Sequence, residues 1–245
     1  MMLGTMQVIL MANANWNQLG LDIDGEAGDD YSGHSVSLSD DGTIMAIGAP
    51  YNDDGPGSNA GHVRVYEYSG GSWSQKGADI DGEAADDESG TSVSLSSDGS
   101  IVAIGAHYND GTGSNAGHVR VYEWNSGTSA WDQKGADIDG EAADDESGIS
   151  VSLSDDGSRV AIGAYLNDGT DSNAGHVRVY EWNGGTSAWD QKGADIDGEA
   201  GDDYSGISVS LSSDGTIVAI GASKNDGTDS NAGHVRVYEY SGSCW

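Results

Sequence analysis

Carboxylates are the side chains of this chain best placed to do chemistry, because they recur at a fixed spacing in four acidic segments. Asp22, Asp24 and Glu26 stand in the first, Asp79, Asp81 and Glu83 in the second, Asp137, Asp139 and Glu141 in the third, and Asp195, Asp197 and Glu199 in the fourth. Hard oxygen ligands set around a glycine such as Gly140 suit a divalent cation, with calcium the expected ion and Asp144, Asp145 and backbone carbonyls filling the shell. The spacing is not that of an EF-hand, whose glycine falls at the sixth position. The competing use of the same residues is as solvated turns on a protein from a salty medium.

Other residue types also recur. His62, His118, His176 and His234 each open a Gly-His-Val-Arg-Val-Tyr run. At one per repeat they are not expected to converge on a single ion, and hydrogen bonding near the adjoining loop is their expected role. Arg64, Arg120, Arg178 and Arg236 follow two residues later, on the same strand face, and are expected to form blade-to-blade ion pairs with nearby carboxylates. Trp16, Trp73, Trp131 and Trp189 are expected to pack over outer strands rather than form a carbohydrate platform. The sequence has no nucleophile elbow, Cys-His pair or phosphate loop. With every distinctive residue repeated once per unit, catalysis is not expected, a cation-dependent hydrolase being the remaining catalytic alternative.

The elements that must position these residues are themselves repeated. Ser-Gly-x-Ser-Val-Ser-Leu-Ser begins at Ser32, Ser89, Ser147 and Ser205, giving spacings of 57, 58 and 58 residues. Short runs rich in Val, Ile and Tyr alternate with Gly, Asn, Asp and Ser turns, and no stretch has helical periodicity, so the chain is all-β. Each repeat divides into segments A to D: in the third, residues 150–154, 159–164, 175–181 and 189–196. Asp-Gly between A and B signals a hairpin. In B, Val160 and Ile162 share one face and Ala161 and Gly163 the other, so both faces must be covered. Four-stranded antiparallel sheets buried on both sides and repeated describe a β-propeller.

Segment D comes first in the chain, at Trp16, and the fourth repeat ends after C. A closed ring of four blades is therefore expected, with residues 16–23 pairing with residues 234–239 and leaving no open edge. The repeats run approximately 16–72, 73–130, 131–188 and 189–245 in one domain. Residues 1–15 are expected to be a leader or a disordered N-terminus.

Composition narrows the partners. The 41 acidic and 9 basic residues give a net charge of −32, which repels nucleic acid and anionic membrane surfaces. No apolar stretch approaches the roughly 20 residues that span a membrane, and the single cysteine, Cys244, allows no intrachain disulfide.

The repeat resembles the FG-GAP repeat, the blade unit of integrin alpha-chain propellers, across residues 16–240. Gly48-Ala49-Pro50 carries the second half of that motif, and Gly105-Ala106, Gly163-Ala164 and Gly221-Ala222 its other copies. The Phe-Gly pair is replaced by Ser-Gly at Gly33, Gly90, Gly148 and Gly206. Family members usually have seven blades and bind calcium in an A-to-B loop of Asp-x-Asp-x-Asp-Gly type. Here that loop is cut to Asp40-Asp41-Gly42 and its equivalents at Asp98, Asp156 and Asp214, so that calcium site is not carried over.

The resemblance implies a secreted or cell-surface binding or adhesion module, monomeric or homo-oligomeric, and the acidic segments are expected to give it a calcium-loaded loop face toward a protein or glycan partner. A purely structural unit of a surface coat or filament is the alternative.

Overall fold

A computed structural model describes residues 16–242 and 244–245; the expected leader at 1–15 lies outside the described residues. Among the described residues there is no helix, and hence none long and apolar enough to cross a membrane.

Among the described residues eighteen strands form four antiparallel sheets. The first contains β1 (Ser35–Leu38), β2 (Ile44–Ala49), β3 (His62–Ser69), β4 (Ser72–Gln75) and β5 (Ile80–Asp81), in the order β1-β2-β3-β4 with β5 also on β3. The second repeats it with β6 (Ser92–Leu95), β7 (Ile101–Ala106), β8 (His118–Asn125), β9 (Ala130–Gln133) and β10 (Ile138–Asp139). The third does so with β11 (Ser150–Leu153), β12 (Arg159–Ala164), β13 (His176–Asn183), β14 (Ala188–Gln191) and β15 (Ile196–Asp197). The fourth has β16 (Ser205–Leu211), β17 (Ile217–Ala222) and β18 (His234–Glu239). Segment D is thus two short strands on the same partner, joined by a bend at Gly77, Gly135 or Gly193 with positive φ.

The sheets stack face to face, and their interfaces are the core. One face of the first sheet, with Ile44, Ala46, Val63, Val65 and Ile80, packs on Leu95, Val102, Ile104 and Tyr122 of the second. The same residues one repeat on make the next interface, where Ile101, Val119, Val121 and Ile138 meet Leu153, Val160, Ile162 and Tyr180. The third interface sets Val177, Val179 and Ile196 against Val218 and Ile220. Period-two alternation therefore gives every middle sheet two apolar faces, as the pattern of segment B requires.

The serines of the first strand of each sheet tie neighbours together. Ser35 Oγ donates to the Gly90 carbonyl at 2.7 Å, and Ser37 Oγ accepts from the Leu95 amide at 2.9 Å. The backbones approach so closely that a Cβ on Gly48, Gly105 or Gly163 would strike the carbonyl oxygen of Gly90, Gly148 or Gly206.

The expected latch is absent. Residues 16–23 form no strand and do not pair with β18; the Trp73 indole donates to the Leu19 carbonyl at 2.8 Å, which holds this segment on the first sheet. Trp16, expected over an outer strand, is fully exposed, whereas Trp131 and Trp189 pack against Trp124 and Trp182 as expected. The physical reason is the stacking of the sheets: residues 19–24 lie against the first sheet as residues 76–81 lie against the second, and β18 is in the fourth sheet, three interfaces away. Arg64 Nη2 donates to the Asp24 carbonyl as Arg120 Nη2 does to that of Asp81.

Candidate metal centre

The second, third and fourth acidic segments lie along the C strand and B-to-C loop that precede them, and buried polar pins tie each to the B-to-C loop that follows. Asp87 accepts from the Ala84 amide at 3.0 Å and from Asn109 Nδ2 at 3.0 Å, locking the D-to-A loop onto the B-to-C loop of its own repeat. Asp30–Asn52, Asp145–Asn167 and Asp203–Asn225 repeat the contact. Asp87 and Asp145 are thus structural, and Asp86 and Asp144 accept from Asn59 and Asn115. The turns between A and B are self-contained as well. Asp41 Oδ1 accepts from Ser39 Oγ, Thr43 N and Thr43 Oγ1, and hydrogen bonds from Thr216 hold the equivalent Asp214 down to about 2.

The carboxylates of one acidic segment do not close around one ion. Three clusters form instead, each drawing on two successive D-to-A segments and a histidine: Glu26, His62 and Asp79; Glu83, His118 and Asp137; Glu141, His176 and Asp195. In each, one ligand atom per residue lies within 4.8 Å of the others. Asp24, Asp81, Asp139 and Asp197 contribute elsewhere, through backbone carbonyls that accept from Arg64, Arg120, Arg178 and Arg236. Asp22 is held by Gln18 Nε2 at 2.7 Å, just as Gln133 and Gln191 hold Asp137 and Asp195. Glu199 lies 3.7 Å from His234 Nδ1, and no aspartate completes that fourth pair among the described residues.

The histidines are the ligand type that reading the carboxylates alone passes over. They do not share one ion, as expected, but each joins a cluster. The available signal was that Glu, His and Asp recur in register in every copy. Backbone pairing supplies the geometry: His62 pairs with Asp81 and His176 with Asp197, which brings the aspartate two residues earlier beside the imidazole.

The electrostatics are those of a partly dry site. His62, His118 and His176 are 1% exposed, and each has a buried ring nitrogen without a hydrogen-bond partner, Nδ1 in His62 and Nε2 in the other two. Burial, helped by Arg120 and Arg178, lowers His118 and His176 to about 4, so both are neutral at pH 7. Burial raises Glu83 and Glu141, and raises Asp139 and Asp197 with help from Asp137 and Asp195. The arginines sit where expected: Arg64, Arg120, Arg178 and Arg236 lie 3.5, 3.6, 3.7 and 3.7 Å from Glu26, Glu83, Glu141 and Glu199. Each glutamate therefore faces a guanidinium with one oxygen and an imidazole with the other. A neutral imidazole and two carboxylates converging on one point can ligate a divalent cation.

Stacked antiparallel sheets of this kind define a β-propeller-type repeat protein. The FG-GAP repeat family's sequence model matches residues 21–66 and 78–122, which makes the first two repeats FG-GAP repeats. No curated protein sequence matches it.

Many solved structures share the fold, among them the following three. One, described as a 6-phosphogluconolactonase from Bacteroides uniformis, has a TM-score of 0.57 at 12% identity over 86% of this chain and 54% of its own. The periplasmic gluconolactonase of Pseudomonas aeruginosa gives 0.53 at 15%, over 86% and 54%. Hydrazine synthase of Kuenenia stuttgartiensis gives 0.52 at 14%, over 84% and 58%. The chain thus spans a little over half the length of these proteins.

These likenesses correct the expectation that the chain is not an enzyme, since all three bear the names of enzymes. The reasoning from equivalent repeats also fails physically: the four sheets are not in equivalent settings, and one cluster lacks its aspartate.

Proposed function

We propose that the chain is a cation-dependent binding module, with one divalent ion at each Glu-His-Asp cluster and its acidic loop face turned toward a protein or glycan partner in a secreted or cell-surface setting. The observation that carries the reading is the threefold convergence of a buried imidazole and two carboxylates, one ligand atom of each within 4.8 Å of the others. Carboxylates alone suggested calcium, which takes six to eight oxygens; a neutral imidazole in the set favours an ion such as zinc or manganese. Four successive blades are the corresponding reading of the four sheets. A closed four-bladed ring would bring β18 round to residues 18–24, which would keep their contact with Trp73 as Lys76 keeps its contact with Trp131.

Calorimetric titration with zinc, manganese and calcium is the test. Three zinc or manganese ions per chain are expected, with one site lost in H118A and in D137N. Absence of zinc and manganese binding, or titration curves that neither substitution changes, would overturn the reading.

A second reading has a specific support in the lactonase names of two fold neighbours: a cation-dependent hydrolase in which the ion polarises a lactone or ester carbonyl. Zinc-stimulated lactone hydrolysis that falls when H118A removes one of the three clusters would favour it.

A further inference from the structure

We infer that the two ends of the sheet stack dock on one another between copies of this chain, head to tail, and that the incoming copy supplies Asp22 to the incomplete Glu199–His234 pair. Three internal interfaces show what each end is built to meet. On the fourth sheet, Val235 and Val237 are 68% and 65% exposed, although their equivalents Val63, Val65, Val119 and Val121 are buried against the next sheet. On the first sheet, Val36 and Leu38 are 62% and 56% exposed, although Leu95 and Leu153 in the same place are buried against the preceding sheet. The two uncovered faces are thus the two halves of an interface that the chain already makes three times, so the occupant with demonstrated complementarity is a second copy.

The polar groups of the two ends match in the same way. Ser35, Ser92 and Ser150 each donate to the carbonyl of Gly90, Gly148 or Gly206 in the next sheet. Continuing the series, Ser208 reaches Gly33 of a second copy. Gly90, Gly148 and Gly206 are crowded by the preceding sheet, whereas nothing lies within 4 Å of a Cβ placed on Gly33. Ser89, Ser147 and Ser205 donate their amides to Ala60, Ala116 and Ala174, which leaves Ser32 for Ala232.

The strand edge completes the fit. Among the described residues nothing pairs with the outer edge of β18, while Trp245 donates to the Lys192 carbonyl as Trp131 does to that of Lys76. Residues 18–24 of a second copy already have the local form of the missing D segment, with Gln18 on Asp22 as Gln133 is on Asp137. Laid along β18 as β5 lies along β3, Ile23 and Asp24 pair with Val235 and His234, and Asp22 arrives beside His234 and Glu199. Only the role of Asp22 as a ligand rests on the proposed metal binding; the docking rests on packing. Because the contact uses different patches on the two partners, it is heterologous and extends to rings or filaments.

The test is sedimentation velocity and native mass measurement of the 245-residue chain at 0.15 M salt with EDTA, over a hundredfold concentration range. Concentration-dependent oligomers are expected. V36D/L38D blocks one end and V235D/V237D the other; both replace exposed residues, and circular dichroism checks their folding. Each variant alone is expected to be monomeric, and an equimolar mixture to form a dimer that grows no further. A monomer at every concentration, or a mixture that stays monomeric, would overturn the proposal in favour of a cover from elsewhere, such as further repeats. Self-association of either variant alone would equally overturn it. With zinc restored, the capped dimer is expected to bind one ion more than the two chains apart, and D22N in the copy that supplies it removes that ion. Dimers without the extra ion refute the role of Asp22 and leave the docking standing.

Discussion

At the scale of single residues, burial decides which groups titrate abnormally. His107 is 6% exposed, stacked on Tyr108 at 3.9 Å, and desolvation lowers it to about 4. Above pH 6.5 the imidazole is neutral folded or unfolded and exerts no pull. As pH falls from 6.5 to about 4 the unfolded chain takes up a proton that the folded chain refuses, so stability falls through that window, by roughly 3 kcal/mol at most for one such group. His118 and His176 act with the same sign; Glu83 and Glu141, raised by burial, act with the opposite one. The third repeat has Tyr165 where His107 stands, so H107Y is a natural replacement. Urea unfolding at pH 7 and pH 4.5 is expected to show H107Y losing less stability than the wild type between the two. Equal losses would mean that His107 is solvated.

At the scale of elements, the close approach of B strands to the next sheet makes one glycine per repeat indispensable. Ala at Gly105 places a methyl on the Gly148 carbonyl, a backbone atom that cannot move aside without separating the sheets. G105A is expected to cost about 3 kcal/mol. Gly221 faces only the flexible Ser208 hydroxyl of its own sheet, so G221A in dilute, monomeric chain should cost less than about 1 kcal/mol. Thermal unfolding of both variants checks the pair, and equal costs would contradict the described end of the stack. The buried Asp87–Asn109 pin gives a second expectation. N109A leaves a carboxylate 2% exposed with one partner fewer, which should destabilise by about 2 kcal/mol.

At the scale of the whole molecule, charge dominates. More than two thirds of the 41 acidic residues lie in the D-to-A and B-to-C loops, which the Asp–Asn pins hold together along one side of the stack. Against 9 basic residues that crowding is self-repulsive at low ionic strength and is screened as the Debye length falls to about 10 Å at 0.1 M salt. Tm should therefore rise with NaCl. Zinc or manganese should raise it beyond magnesium at matched ionic strength, because binding to the folded state alone adds to stability. Identical shifts with all three divalent ions would leave screening as the sole effect, and a flat response to salt would remove the charge repulsion itself.

The sequence by itself determined the local grammar: four copies, the strands A, B and C, the Asp-Gly turns, the two-faced B strand and the arginines facing carboxylates. All of these follow from alternation and turn chemistry acting over a few residues. Tertiary structure alone decided which carboxylates meet. Glu83 joins Asp137 and His118 instead of Asp79 and Asp81, its neighbours in sequence, because the register of β10 on β8 and the packing of one sheet on the next set distances across repeats. It also decided the ends. The segment at residues 16–23 carries the D pattern and suggests a latch, but a pattern does not say which sheet holds it. That depends on how each sheet is rotated on its neighbour: Trp73 and Arg64 bond the segment to the first sheet, and the stacking sets β18 three interfaces away, with an open edge among the described residues.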